Sequence, residues 1–467
     1  MTNIVWQNLT LSRLPVYQWR SGSYLWQCVA FVSQWREGSW LLTYGGEAIA
    51  IALMSLVLLL GPFASTAAIG VLLLAVGAYW ALITLADSGA GYGVTPIHYL
   101  VLLYWAIAAL ATVFSPVKQA ALSGMIILTL YLFLFLLSAR MLRSPRARNW
   151  TIAVYLLVAL LVSAYGIRQE IYVVEQLATW NDPNSILADD TRVYSYLGNP
   201  NLLAGYLLSA IALSGAALFV WQGWLPKALA ATMVLCNLAC LYYTDSRGGW
   251  LAALALLLAF AGLLYYWWRD RLPLFWRKWL LPLVLGVGAL LLIGAIAALE
   301  PLRLRVMSIF AGREDSSNNF RINVWDAVFR MIGDRPLFGI GPGHDAFNAI
   351  YPLYMQTGYP ALSAYSIYLE HIVEMGFLGF GAFIWLIVVS IDRGVSALQG
   401  LRQRNNLQGF WLIGAIAATT GLLAHGVVDT VWYRPQINCL WWLMLGIIAS
   451  FYSPPDRMTT HRDRENI

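Results

Sequence analysis

The sequence predicts an all-α protein, a polytopic membrane helix bundle of about 12 transmembrane helices. Three observations carry this. Roughly a dozen stretches are apolar for about 20 residues, the length that crosses a bilayer core. Hydrophobic residues make up 60% of the chain and charged residues 11%, against about 25% charged in soluble domains. Lys and Arg gather in alternate connections between the apolar stretches, as they do when one side of the bundle faces the cytoplasm. Lipid offers the backbone no hydrogen-bond partner, so the spans must be helical.

In chain order, residues 1–39 lack a continuous apolar run beside a basic start, so no signal peptide is expected there. Spans follow at 40–60, 64–86, 96–114, 117–138, 150–170, 199–221, 228–243, 249–268, 279–299, 363–391, 409–428 and 437–452. The run 363–391 exceeds one crossing and is expected to tilt or break. Residues 453–467 form a polar tail. The chain thus reads as an N-terminal segment 1–39, one bundle 40–452 with a large periplasmic loop 300–362 inserted, and a tail. Twelve spans put both termini on one side. If that side is the cytoplasm, its segments hold 18 of the 29 Lys and Arg. Six of the other 11 lie in 300–362, and long loops weigh little in this rule. The expected location is a bacterial inner (plasma) membrane or a thylakoid membrane, with both termini cytoplasmic. Tyr265, Tyr266, Trp267, Trp268, Trp276 and Trp279 crowd span ends like an interfacial belt.

The formal net charge of +6 is small for this length and points to no nucleic acid partner. Cys236 and Cys240 share a helix face and read as small apolar packing residues. No pattern of metal ligands or cofactor motif stands out, so neither a metal nor a cofactor is expected. Carboxylates inside spans are few, Glu47 being the clearest.

The long loop carries nearly balanced charge. Within it Ile322, Trp325, Val328 or Phe329, and Ile332 recur at helical spacing after Asn318 and Asn319, good N-cap residues. An amphipathic helix over 319–333 is expected, lying on the membrane or on the bundle. Gly339-Ile340-Gly341-Pro342-Gly343 ends it. No Lys-Ser/Thr follows, so this is no P-loop, and a helix stop is the plainer reading. Polar groups also collect beside spans: Asn199 and Asn201 around Pro200, Asp245-Ser246-Arg247 in a tight hairpin, and Arg321. Arg247 at a membrane edge needs an anion, a carbonyl or water, and Asp245 is a ready partner.

Gly198-Asn199-Pro200-Asn201, Ser246-Arg247-Gly248, and Phe320-Arg321-Ile322-Asn323-Val324-Trp325 running on to Gly339–Gly343 resemble, in order and spacing, the O-antigen ligase and polymerase superfamily. Thr95-Pro96-Ile97-His98, Arg192 through Asn201, Gly312 through Arg321, and Ala424 through Pro435 extend the resemblance over most of the chain. There it is similar to the cyanobacterial IctB branch, whose proteins are associated with inorganic carbon (bicarbonate) transport. The resemblance implies one of two functions. The first is inorganic carbon accumulation, with a small anion such as bicarbonate bound at the outer face. The second is glycan ligation or polymerisation on a lipid-linked sugar diphosphate. In either, Arg247, Arg321, Asp245, Asn199 and Asn201 would form the anion site, and membrane lipid would be the surrounding partner. The ligases carry a functional His nine residues before a Glu and eleven before a Gly. Counted back from Glu374 and Gly376, that position is Tyr365. Tyr365 and His344 are therefore the catalytic candidates, His344 as the substitute base. His98 and His425 read as packing histidines.

Overall fold

In the computed structural model the described residues are 2–12, 39, 45–86, 94–172 and 192–453. All their regular elements are helices. The short α1 (Thr2–Leu9) precedes α2 (Gly46–Leu60), α3 (Thr66–Leu85), α4 (Pro96–Phe114), α5 (Lys118–Met141) and α6 (Pro145–Ile171). Then come α7 (Pro200–Val220), α8 (Trp224–Tyr243), α9 (Arg247–Trp268) and α10 (Leu274–Ala298). The long loop holds α11 (Glu300–Ile309), α12 (Ser316–Asp334) and α13 (His344–Ile350). The chain closes with α14 (Ile367–Gln403), α15 (Gly409–His425) and α16 (Pro435–Ser450). Nine of these, α3 to α10 and α14, are long and apolar enough to cross a membrane. The shorter apolar α2, α15 and α16 coincide with the remaining expected spans. Residues 13–38, 40–44, 87–93, 173–191 and the tail from 454 lie outside the described residues.

Helix ends follow the local sequence. Ser65, Ser144, Asn199, Ser246 and Asp315 cap α3, α6, α7, α9 and α12, each accepting a backbone amide of the first turn. Thr95 and His98 cap α4 reciprocally, so His98 is a capping residue. Helix α7 is buried almost all round and forms the axis of the bundle, packed on α8, α9 and α15. Helix α10 is its opposite: strongly apolar, with no buried residue. Only a hydrocarbon surround makes such a surface stable.

The expected alternation of connections appears in the bonding. At one end, Trp6 donates to Asp392, Arg148 to Gln408, Arg271 to Asn405, and Ser144 to Glu47. Glu47 is thus in the first turn of α2, at the bundle end rather than inside the span. At the opposite end, hereafter the capped end, Ser115 bonds to Ile340 and Arg192 to Thr244.

Helix α12 is amphipathic, but the buried face is offset from the expected one. Val324, Ala327, Val328, Met331 and Ile332 are buried, Ile322 and Trp325 are half-buried, and Phe329 is exposed. The reason is its partner. The helix packs on a second core with Ile340, Phe347, Tyr351, Ala361, Ala364 and Val373, so protein rather than lipid selects the face. Trp325 turns to that core's edge and donates Nε1–H to the Ala364 carbonyl, 3.0 Å away.

Helix α14 breaks, as its length suggested, at Gly376 (φ 66°, ψ −173°). A Cβ there would lie 2.1 Å from the Leu337 carbonyl oxygen. The segment after α12 runs into the break and pairs with it. Ile340 and Gly341 amides donate to Val373 and Glu374 carbonyls at 2.9 Å, and the Phe377 amide to Pro336 at 2.8 Å. Gly339, at φ 65°, would clash with the same backbone if it carried a Cβ. The glycine run is therefore a docking strand as well as a helix stop.

Candidate functional site

Four arginines meet at the capped end. Arg192, Arg247, Arg305 and Arg321 line one cavity of about 350 Å³, together with Asp245, Asp315, Asp429 and Asn201. Arg247 opens α9 directly after its cap, so the helix start aims it out of the bundle. Its guanidinium donates to Asp315 at 2.8 Å and to Ser308 at 2.9 and 3.0 Å. Asp315 is also the cap of α12, accepting the Asn318 amide at 2.8 Å. Burial alone would raise its carboxyl pKa. The hydrogen bonds from Arg247 and Asn318 outweigh that and hold it below the usual range.

Asp245, expected to partner Arg247, pairs with Arg305 instead, which also donates to its carbonyl at 2.9 Å. Asp245 stands in a left-handed turn (φ 53°) between α8 and α9, which faces it toward α11. Arg321, on the first turns of α12, donates to the Val428 carbonyl at 2.9 Å and lies 4.0 Å from Asp429. Asn201 bridges the far wall. It donates to Asp429 at 2.7 Å and accepts from Arg192 at 3.1 Å. Asn199 does not line the cavity. It caps α7 and so orients Asn201. Burial, then the neighbouring Arg305, lowers the Arg192 guanidinium to about 10. Burial likewise lowers Arg305, against the pull of Asp245.

Four guanidinium groups face three carboxylates, one positive charge in excess. The walls are also partly apolar: Leu251, Ile309, Ile322 and Val428 line the same space. Leu251 sits one turn below Arg247 on spanning helix α9 and is exposed. The cavity thus combines charge for an anion with hydrocarbon contact.

The catalytic candidates lie elsewhere. Tyr365 (φ 50°) packs edge-on against Phe320, centroids 5.4 Å apart. Burial, and next the charge of Asp429, raises its phenol above the ordinary range, so it holds its proton at neutral pH. His344 stacks on Tyr433 at 4.8 Å and lines a second, smaller cavity. Burial lowers its imidazole, only partly opposed by Asp345, which leaves it neutral and able to accept a proton. His425 is buried, but neither ring nitrogen has a partner among the described residues, so it packs without being satisfied. No three His, Cys, Asp or Glu among those residues gather to hold a metal ion.

Sequence reasoning had Arg247, Arg321, Asp245 and Asn201 in the site and missed Arg305, Asp315 and Asp429. Arg192, Asp315 and Asp429 were visible only inside resembling motifs, with no role attached. The balance of acidic and basic residues in 300–362 was the available signal that its arginines would be paired.

Residues 231–384 match the family model described as O-Antigen ligase. This stretch resembles the O-antigen ligases. It runs from within α8 to just past the break of α14, with Arg247, Arg305, Asp315, Arg321, His344 and Tyr365. Arg192, Asn201 and Asp429 fall outside it. No curated protein matches the chain. The apolar helices and the match together support a bacterial membrane protein that is O-antigen ligase-like over residues 231–384.

Proposed function

We propose that the protein is a membrane glycan ligase or polymerase acting on a lipid-linked sugar diphosphate, with the arginine cavity as the diphosphate site. The observation that carries this is the pairing of Arg247 with Leu251. A guanidinium fork that matches phosphate bidentately stands one helical turn above exposed hydrocarbon surface. A diphosphate on a lipid tail fits both, whereas a small free anion uses only the first. In the transfer, an acceptor hydroxyl oxygen bonds to the anomeric carbon. The bond from that carbon to the phosphate oxygen breaks, and the diphosphate keeps the electron pair. The arginines stabilise the leaving charge, and the hydroxyl proton passes to a neutral base, for which His344 is suited. Arg247 would exchange Asp315 for phosphate on binding, so the aspartates act as placeholders that keep the arginines from repelling one another.

The test uses the purified chain in lipid nanodiscs. Farnesyl diphosphate should bind saturably, and Arg247→Ala or Arg321→Ala should weaken it about tenfold or more, the scale of one charge-assisted hydrogen bond. Undiminished binding in both variants would refute the site. Bicarbonate flux in proteoliposomes, without diphosphate binding, would replace this reading with inorganic carbon transport.

A further inference from the structure

A second cavity, of about 130 Å³, lies between α5, α14 and the 430–438 segment, against the glycine run before α13. Six side-chain atoms around it are buried and lack a hydrogen-bond partner among the described residues: His344 Nδ1, Glu370 Oε1, His371 Nε2, Thr430 Oγ1, Trp432 Nε1 and Asn438 Oδ1. Such atoms are costly, since each forfeits the hydration of a polar group. Six around one cavity mark a place built for a polar occupant. Glu370 is 5% exposed, Thr430 2% and Trp432 6%, so bulk water does not satisfy them.

The donor and acceptor pattern selects the chemistry. Glu370 Oε1 and Asn438 Oδ1 accept hydrogen bonds, Thr430 and the two imidazoles can do either, and the Trp432 indole can only donate. A cation could not satisfy Trp432, and an anion would find no basic side chain to hold it. No Lys or Arg lines the cavity. A neutral group carrying several hydroxyls matches this mix of groups, because each hydroxyl both donates and accepts. The segment that carries Thr430 and Trp432 continues from Val428 and Asp429, which line the arginine cavity, so the two spaces are neighbours along one strand of backbone.

We infer that this second cavity is a carbohydrate subsite that binds one sugar ring. It deepens the transferase reading and rests on it only for why a sugar would be there. The experiment titrates the protein in nanodiscs with methyl α-glucopyranoside, methyl α-galactopyranoside and N-acetylglucosamine, read by saturation-transfer NMR. Propane-1,2-diol serves as the control for generic polar filling. At least one sugar should bind saturably, and the diol should not. Trp432→Phe and Asn438→Leu should each weaken that sugar about tenfold or more, with farnesyl diphosphate binding retained. Arg247→Ala should leave sugar binding unchanged. Trp432→Phe keeps the aromatic bulk, so it separates the lost indole donor from misfolding. Absence of binding by all three sugars, or binding indifferent to both substitutions, overturns the subsite. So would a structure at saturating sugar that shows only ordered water, of which the space holds about four. Failure of diphosphate binding with sugar binding intact would instead count against the transferase reading.

Discussion

Asp315 holds two elements at once, and removing its side chain should separate two energies. Its carboxylate caps α12 through the Asn318 amide and binds Arg247, both at 2.8 Å. The pair is largely shielded, with side chains 13% and 18% exposed, so solvent screening discounts it little. Loss of a cap costs about 1 kcal/mol, and loss of a hydrogen bond to a charged group about 1.5–3 kcal/mol. Asp315→Ala should therefore destabilise the start of α12 by roughly 2.5–4 kcal/mol. Asp315→Asn keeps an oxygen for the cap and loses only the charge, so it should fall about 1 kcal/mol short of the alanine variant. Native-state hydrogen exchange at Asn318 measures both. The pH dependence follows from the depressed carboxyl. Its stabilisation is complete above the unfolded value, near 4, and disappears as pH falls through the lower folded value. Wild-type Asn318 should thus lose protection below about pH 4, after correction for intrinsic rates, and Asp315→Asn should show no such step. Equal damage from Asn and Ala, or a step that survives in the Asn variant, would refute the reasoning.

Gly376→Ala should cost about 1–3 kcal/mol from its backbone conformation alone, and more from the overlap with Leu337. A thermal midpoint within error of wild type would count against the docked break. Arg321→Lys should recover only part of the farnesyl diphosphate affinity lost in Arg321→Ala, because a point charge lacks the planar fork; full recovery in a titration would show that charge alone suffices. Reporter fusions after Arg148 and Arg404 should read cytoplasmic and one near Ser316 external, and a reversed reading at any of them sinks the orientation. Asn201→Asp would set a second carboxylate beside Asp429, so it should lower diphosphate binding and the thermal midpoint together; an unchanged affinity would remove Asn201 from the cavity wall.

The spans were legible because hydrocarbon solvent demands long apolar runs, and that demand is written residue by residue from Gly46 to Ser450. What surrounds them was less so. The face of α12 was legible in Val328 and Ile332 but not in full, because Ile322, Trp325 and Phe329 look as apolar as Val324 and Met331. Only the partner core decides between them, and it is assembled from residues as distant as Val373. Arg305 read as one more loop charge, since nothing local says that it reaches Asp245 across 60 positions. Arg247 and Arg321 were found because their motifs resemble those of a family, whereas Asp315 and Asp429, though inside resembling segments, lie 68 and 108 positions from the arginines they face, and nothing local marks them as counter-ions.

The docking strand has a consequence for how the chain is made. Residues 336–341 supply hydrogen bonds to the backbone of α14 where Gly376 interrupts it, and an unpaired peptide group in lipid costs several kcal/mol. The strand precedes α14 in the sequence. A ribosome therefore delivers the repair before the damage: when the interrupted helix enters the bilayer, its missing partners already exist on the emerging chain. A permuted chain that places α14 ahead of the long loop would have to insert a broken helix alone, and its biogenesis, rather than its final stability, is where that rearrangement should fail.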